Sequence, residues 1–294
     1  MDIGGTRTKI GIVAEDGNIV SRATVSTSER GEPEPLVEGI VSTLRPMLES
    51  QSRARKPVAA IGVSVAGFLD RDRSAMYANA NLPALCNFPL RRVLRERLGQ
   101  ECTLEVDSNA AAIAEFQLGA GRGSARLLVV TVGTGLGGGV VIDGRLLRYT
   151  GECAGDIGHI IVAPGGRPCA CGARGCLEAM VNSAALTERG GGRPVREVVK
   201  SARRGEQPAS DAIAETAKWL GLGLASLSPL FAPDRIVVGG GVAAAGDLLL
   251  DSVRTSYRLH AAPDFRDSVG IVGSSFRGWE GMIGAALGAL RPTS

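Results

Sequence analysis

The chain has 294 residues, of which 44% are hydrophobic and 21% charged, a composition typical of a soluble globular protein with room for two domains. Its 33 basic and 30 acidic residues give a net charge of +3, which is too small and too dispersed to favour nucleic-acid binding. No apolar run reaches the roughly 18 residues of a membrane helix, and the N-terminal sequence lacks the residue order of a signal peptide, so we expect a cytoplasmic protein without a membrane partner.

Predicted strands and helices alternate along the chain. Turn residues and β-branched runs predict a hairpin of strands within 2–13 and 17–26, and an apolar repeat of helical period predicts a helix at 34–51. The later elements, in chain order, are predicted as a strand at 58–65, a helix at 89–98, a strand at 102–106, a helix at 108–118, strands at 127–132 and 138–142, a helix at 208–228, a strand at 235–238 and a helix at 277–290. This alternation is typical of an α/β fold.

The pattern of a hairpin with a glycine turn followed by α/β elements occurs twice, which indicates a duplicated fold with weak internal similarity. We expect a small N-terminal lobe formed by 1–106 together with a C-terminal helix within 276–294. The larger lobe is expected to span 107–275. A cleft between two lobes is a common position for a ligand site.

Two glycine-rich turns connect β-branched strands, the first in Asp2–Lys9 and the second in Thr131–Gly139. Backbone N–H groups freed by such turns can face phosphate oxygens, and a nearby carboxylate such as that of Asp2 can hold Mg²⁺ through water. An ordinary hairpin turn is the alternative for either one alone. The second turn is not a Walker loop, because no Gly-Lys-Ser/Thr follows it, and it is not a dinucleotide fingerprint, because a strand follows it.

A third glycine turn, Gly239-Gly240-Gly241, follows the strand Ile236-Val237-Val238. The three turns resemble those of the sugar kinase, hexokinase and actin-like ATPase superfamily, and nearly the whole chain resembles its ROK family of bacterial repressors, open reading frames and sugar kinases. The resemblance implies an α/β, two-lobed actin-like ATPase (ribonuclease H-like) fold with a central interlobe cleft, and a kinase that uses ATP and Mg²⁺. The implied ATP and phosphate contacts are Asp2 (also to Mg²⁺, through water), Gly4, Gly5, Thr6, Arg7, Thr8, Lys9, Thr131, Gly133, Thr134, Gly135, Gly239, Gly240 and Gly241.

Four of the six cysteines lie within 24 residues, at Cys153, Cys169, Cys171 and Cys176. In a cytoplasmic protein this spacing favours a metal site over disulfides. Gly155-Asp156-Ile157-Gly158-His159 and the run from Cys169 to Glu178 are the most specific part of the ROK resemblance. They imply a structural zinc ion held by His159, Cys169, Cys171 and Cys176, since one imidazole and three thiols close a tetrahedral site without an open position.

The segment Val106-Asp107-Ser108-Asn109 lies where a predicted strand enters an Ala-rich helix. A lone Asp at such a place is more often a helix N-cap. The ROK resemblance implies instead that Asp107 is the catalytic base. The sugar contacts that the resemblance implies are Gly67, Asn81, Val106, Asp107, Asp156, His159 and Glu178.

Two of these positions depart from the family pattern. Val106 stands where the family usually has Asn, and Asp156 stands where it usually has Glu. Both family residues contact sugar hydroxyls, so the hexose is left open. Glucose is the first expectation and N-acetylmannosamine, or another hexose or N-acetylhexosamine, the second.

Two other classes of function are alternatives to a kinase. A sugar-responsive transcriptional repressor of the same family would carry a helix-turn-helix segment ahead of the first glycine turn, whereas here that turn begins at Asp2. A catalytically inactive sugar-binding protein is disfavoured by Asp107 and by the glycine turns. We expect a hexose and ATP as ligands and a homodimer as the assembly.

Overall fold

A computed structural model of the chain describes residues 1–27, 32–78, 82–148 and 156–290. The strands are β1 (Asp2–Ile3), β2 (Arg7–Val13), β3 (Ile19–Ser26), β4 (Ile61–Val65), β5 (Phe68–Leu69), β6 (Met76–Ala78), β7 (Cys102–Val106), β8 (Arg126–Val132), β9 (Leu136–Ile142), β10 (Arg145–Leu146), β11 (Arg235–Gly239) and β12 (Gly270–Gly273). The α-helices are α1 (Pro33–Arg53), α2 (Leu90–Leu98), α3 (Asp107–Gln117), α4 (Leu177–Val181), α5 (Ser183–Arg189), α6 (Val195–Arg203), α7 (Gln207–Phe231), α8 (Asp247–His260), α9 (Pro263–Arg266) and α10 (Glu280–Leu290).

Each strand and helix expected from the sequence is present, and most ends agree within a few residues. The strand expected from 58 begins only at Ile61, where its pairing with β7 starts opposite Cys102. The sequence reasoning missed the helices α4, α5, α6, α8 and α9 and the short strands β5, β6, β10 and β12. The first two have only five and seven residues, too few for a helical apolar period, whereas α8 buries a regular apolar face that includes Leu250, Val253 and Tyr257.

The chain divides into two compact units, of which the first contains residues 1–118, 145–148 and 279–290 of the described chain. Its sheet has the strand order β3-β2-β1-β4-β7. The hairpin strands β1, β2 and β3 pair antiparallel, whereas β4 pairs in parallel with both β1 and β7. The interior of this unit is apolar, with side chains such as Ile3, Ile10, Val37, Ile40, Val63 and Leu104 almost fully buried.

The second unit contains residues 119–144 and 156–278 of the described chain. Its strands β9, β8, β11 and β12 are neighbours in that order. Here β8 and β9 form an antiparallel hairpin, and β11 pairs in parallel with β8 and with β12. An antiparallel hairpin continued by two parallel strands therefore occurs in both units, as expected for a duplicated fold.

Helix α7, with 25 residues, packs closely on α8 and also contacts α4, α5 and α6. Gly221 permits the approach, because a Cβ at that position would lie 2.7 Å from the carbonyl oxygen of Val253. Among the described helices, none is both long enough and apolar enough to cross a membrane.

Parallel pairing places the carboxyl ends of several strands at one edge of each sheet. In the first unit, Ile3 is in register with Val65, and Val65 with Val106. In the second unit, Thr131 is in register with Gly239. Ligands of open α/β sheets bind at such carboxyl edges, so the segments that follow these residues are the places to look for a site.

Helix α10 packs so closely on the rest of the first unit that glycine is required on both sides of the contact. A Cβ at Gly284 would lie 1.6 Å from the carbonyl oxygen of Ala110 in α3. A Cβ at Gly62 in β4 would lie 1.8 Å from the carbonyl oxygen of Ala285. The backbone of α10 therefore touches both the sheet and its neighbouring helix.

We expect Gly284→Ala to lower the free energy of unfolding by about 3 kcal/mol, because the added methyl group forces α10 away from α3. Gly39→Ala in α1 is the matched control, since a Cβ there meets no heavy atom within 4 Å. This control should raise stability by about 0.5–1 kcal/mol through helix propensity alone. Urea denaturation measures both, and equal stabilities of the two variants would contradict the packing argument.

Candidate functional site

The first glycine turn, residues 4–6, connects β1 to β2 at the carboxyl edge of the first sheet. It is closed by a hydrogen bond in which the N–H of Gly4 donates to the carbonyl oxygen of Arg7, at 3.2 Å. Thr6 and Arg7 are exposed, as phosphate contacts would be. Thr8 is different, because its hydroxyl is fully buried and hydrogen-bonded to that of Thr27 at 2.8 Å. Thr8 thus supports the turn from inside the unit.

The Asp2 carboxylate lies directly beside this turn and is held by two donors. The hydroxyl of Ser64 donates to Oδ1 at 2.8 Å, and the ammonium group of Lys9 donates to Oδ2 at 3.3 Å. The backbone of α10 covers the carboxylate, since a Cβ at Gly281 would lie 2.8 Å from Oδ1. The side chain of Asp2 is therefore fixed in one orientation, with Lys9 as its charge partner.

Asp107 lies at the same edge of the first sheet, as the first residue of α3. It is half-buried, and its Oδ1 accepts the N–H of Ser108 at 2.7 Å. The preceding Val106 packs against the apolar core of the unit. Gly67 follows β4 in the neighbouring connection with a φ of 148°, a backbone conformation that favours glycine. Asn81 lies outside the described residues.

At the end of β7, two residues before Asp107, Glu105 is the centre of a partly buried charge cluster that the sequence reasoning missed. Oε2 of Glu105 accepts hydrogen bonds from Arg73 at 3.1 Å and from Arg148 at 2.9 Å and 3.1 Å. Oε1 accepts the side-chain amide of Asn109 at 3.2 Å. The Glu105 side chain is only 9% exposed, and that of Arg148 only 18%. A charged residue inside a predicted strand was the sequence signal that could have revealed it.

The second and third glycine turns lie side by side in the second unit, after β8 and β11. The N–H of Gly133 donates to the carbonyl oxygen of Gly135 at 2.8 Å, which makes the second turn tight. A Cβ at Gly240 would lie 2.4 Å from the carbonyl oxygen of Val132, so only glycine allows the two turns to approach this closely. Thr134 and Gly241 are exposed at this edge.

Two side chains from α4 and α5 hold the second turn in place. The carbonyl oxygen of Gly133 accepts hydrogen bonds from the N–H of Ser183 at 2.8 Å and from its hydroxyl at 2.9 Å. Oε2 of Glu178 accepts the N–H of Leu136 at 2.9 Å. A Cβ at Gly135 would lie 2.6 Å from the same oxygen, so the glycine permits Glu178 to approach.

His159, Cys169, Cys171 and Cys176 come together in the second unit, with their ligand atoms all within 4.8 Å of one another. The Sγ atom of Cys169 lies 3.5 Å from Nδ1 of His159, and the Sγ atoms of Cys171 and Cys176 lie 3.6 Å apart. Burial raises the pKa of the Cys176 thiol to about 12. The four residues form a cluster that can hold a metal ion.

Asp156 is placed to orient the imidazole of this cluster. Its Oδ2 lies 3.4 Å from Nε2 of His159, while Nδ1 faces the sulfur atoms. A carboxylate on the far nitrogen of a metal-binding histidine fixes the ring and its tautomer. Asp156 also accepts the N–H of Gly158 at 3.3 Å, so its own position is fixed by the backbone.

Comparison with known proteins extends over nearly the whole chain. The model of the ROK family matches residues 1–291. The chain belongs to the ROK family. It is 34% identical over 315 aligned residues to a glucokinase of Streptomyces coelicolor, covering 99% of this chain and 97% of that one. It is 32% identical to an N-acetylmannosamine kinase of Escherichia fergusonii, covering 98% and 96%.

Solved structures of ROK proteins agree with the fold. A ROK glucokinase from Streptomyces griseus in complex with glucose and AMPPNP superposes with a TM-score of 0.87 at 32% identity, covering 99% of this chain and 98% of that one. The family resemblance and the actin-like ATPase fold expected from the glycine turns are thereby confirmed.

The Glu105 cluster gives a prediction for this ROK protein. Glu105→Ala should lower the free energy of unfolding by about 3 kcal/mol, because it leaves the guanidinium group of Arg148 buried without its carboxylate. Glu101→Ala is the control, since that side chain is 73% exposed and its ion pair with Arg95 is 3.8 Å long. The control should change stability by less than about 0.5 kcal/mol. Urea denaturation measures both variants, and a similarly small decrease in the free energy of unfolding for the two would contradict the role given to Glu105.

Proposed function

We propose that this ROK protein is an ATP-dependent kinase that transfers the terminal phosphate of ATP to a hydroxyl group of a hexose. The observation that carries the proposal is the position of Asp107, at the same sheet edge as the first glycine turn, in a chain whose full-length relatives include glucokinases. Glucose is the first substrate we propose, and N-acetylmannosamine the second because a kinase for it matches over nearly the same length. Homodimer formation and a cytoplasmic location stay predictions from the sequence.

In the proposed reaction Asp107 accepts the proton of the attacking sugar hydroxyl. The N–H of Ser108 donates to Oδ1 of Asp107 and so helps to orient the carboxylate. As the proton moves to Asp107, the hydroxyl oxygen attacks the γ-phosphorus in line and ADP leaves. Because little covalent chemistry falls to the protein in phosphoryl transfer, most of the rate is expected from positioning and charge neutralisation.

The glycine turns are proposed to hold the phosphates of ATP through backbone N–H groups. This assignment uses the exposed residues of each turn and leaves out Thr8, whose hydroxyl is buried against Thr27. Asp2 is the residue proposed to hold Mg²⁺ through water, and its fixed carboxylate beside the first turn suits that role. Mg²⁺, when bound, neutralises charge on the phosphates.

The metal of the His159, Cys169, Cys171 and Cys176 cluster is proposed to be zinc. For a zinc ion about 2.3 Å from each sulfur, tetrahedral geometry places two sulfur atoms about 3.8 Å apart. The 3.6 Å separation of the Cys171 and Cys176 sulfur atoms is close to that value. Four protein ligands leave no open position, so we assign the zinc a structural role.

The identity of the hexose is proposed to depend on two positions at which this chain departs from the family pattern. Val106 packs against the core of its unit and carries no group that can hydrogen-bond a hydroxyl. Asp156 is engaged with the ring of His159 and with the N–H of Gly158. In the first unit we therefore propose Asp107 and the connection that contains Gly67 as the direct sugar contacts.

Asp107→Asn should reduce turnover at least about 100-fold, because an amide cannot accept the hydroxyl proton. The assay is coupled ADP release over a panel of hexoses and N-acetylhexosamines, and AMPPNP binding should stay within about threefold of the wild type. Asp143→Asn is the control, since Asp143 is exposed in the turn after β9 with a φ of 50°, a conformation that asparagine adopts readily. If the wild type released no ADP with any sugar of the panel, the proposed function would be wrong.

Protein purified without chelator should contain one zinc ion per chain by elemental analysis, and Cys171→Ser should lose most of it. Cys86→Ser is the control, because Cys86 lies in the first unit and outside the cluster. Removing the zinc with a chelator should lower the melting temperature, since binding of a structural metal contributes directly to folding. Zinc-free wild-type protein, or equal zinc in both variants, would overturn the assignment.

A further inference from the structure

Glu178 stands between the second glycine turn and the cysteine-histidine cluster. It follows Cys176 by two residues, in the first turn of α4. Its Oε2 accepts the N–H of Leu136 at 2.9 Å, and its Oε1 lies 3.8 Å from the Sγ atom of Cys169. One carboxylate therefore contacts the phosphate-binding turn on one side and a metal-ligand sulfur on the other.

The backbone around His159 packs on the same turn, so the connection does not rest on Glu178 alone. A Cβ at Gly158 would lie 2.6 Å from the carbonyl oxygen of Leu136 and 3.5 Å from the Cβ of Glu178. A Cβ at Gly138 would lie 2.3 Å from a methyl group of Ile157. With no room for a methyl group at either glycine, a shift of the residues around His159 displaces the start of β9.

We propose that Glu178 is a positioning residue for the phosphate donor, and that it makes nucleotide affinity depend on the metal occupancy of the cluster. The inference rests on the proposed function, since it takes the second turn as a phosphate site. By accepting the N–H of Leu136, Glu178 fixes the residue that follows Thr134 and Gly135 and so holds the turn open toward its ligand. A bound metal would hold Cys176 and Cys169 in place. Cys176 directly precedes α4, and Cys169 lies against Oε1 of Glu178, so the metal also limits the movement of the Glu178 carboxylate.

This role differs from a direct contact between Glu178 and the sugar, and the difference is measurable. A sugar contact affects the KM for the hexose and leaves nucleotide binding in the absence of sugar unchanged. A positioning role affects nucleotide binding without any sugar present. It also requires only a hydrogen-bond acceptor, so Glu178→Gln retains it whereas Glu178→Ala does not.

The first measurement is AMPPNP affinity by calorimetry, with Mg²⁺ and without sugar, on protein that retains its metal. Glu178→Ala should weaken binding about tenfold, the effect of losing one charge-assisted hydrogen bond, and Glu178→Gln should stay within about threefold of the wild type. Glu197→Ala is the matched control, because Glu197 is exposed in the first turn of α6 in the same unit. It should bind AMPPNP as the wild type does.

The second measurement removes the metal with a chelator from the wild type and from Glu178→Ala. Chelation should lower the AMPPNP affinity of the wild type about tenfold. It should lower the affinity of Glu178→Ala little further, because two changes that act through one contact are not additive. Circular dichroism checks that the chelated proteins stay folded. If chelation unfolds the wild type, the metal acts on folding as a whole and the specific link through Glu178 is overturned. The comparison of Ala with Gln at position 178 on metal-bound protein then decides the positioning role.

Unchanged AMPPNP affinity in Glu178→Ala would overturn the inference, as would wild-type protein that does not bind AMPPNP. If chelation lowered AMPPNP affinity by the same factor in the wild type and in Glu178→Ala, the link to the metal would be overturned. The proposed function fails separately, when metal-bound protein binds AMPPNP but releases no ADP with any hexose. In that outcome the affinities of the Glu178 variants still decide the positioning role.

Discussion

Parallel strand pairing is the constraint on which both parts of the candidate site depend. Ile3, Val65 and Val106 are neighbours only because β4 pairs in parallel with β1 and with β7. The first glycine turn and Asp107 therefore share one edge although a hundred residues of chain separate them. Because successive side chains alternate across a strand, a slip of one residue in this register would move each side chain of β7 to the other face of the sheet and so exchange the faces of Glu105 and Val106. Backbone hydrogen bonds thus fix the chemistry that the side chains can perform.

Buried charge next to Asp107 adds a second constraint. Burying the Glu105 carboxylate is unfavourable unless opposite charges and hydrogen bonds compensate, and Arg73 and Arg148 supply them. Arg148 comes from the segment that follows β10, far along the chain from β7. The ion pairs therefore tie that segment to the start of α3. The proposed base Asp107 benefits from this rigid support, since small displacements strongly reduce catalysis by positioning.

In the second unit the same need for rigid support is met by close backbone contacts. Gly135, Gly158 and Gly240 each allow an approach that a methyl group would prevent. The turn after β8 is consequently enclosed by the third glycine turn, by the residues around His159 and by the start of α4. Hydrogen bonds from Ser183 and to Glu178 complete this enclosure. A metal ion that stabilises the cluster therefore acts on a turn with little freedom to relax independently.

Local sequence patterns predicted the α/β class, half of the described α-helices, most of the described strands, the three glycine turns and the four residues that can hold a metal ion. These follow from local patterns: apolar period, turn-forming residues, and thiols spaced a few residues apart. Three contacts could be seen only in the folded chain: the Thr8 hydroxyl is buried against Thr27, Asp156 contacts His159, and Glu178 accepts a hydrogen bond from the second turn. The Glu105 cluster and the glycine contacts of α10 likewise join segments far apart in the chain. Such contacts depend on how distant elements pack, and no period or spacing within one segment contains that information.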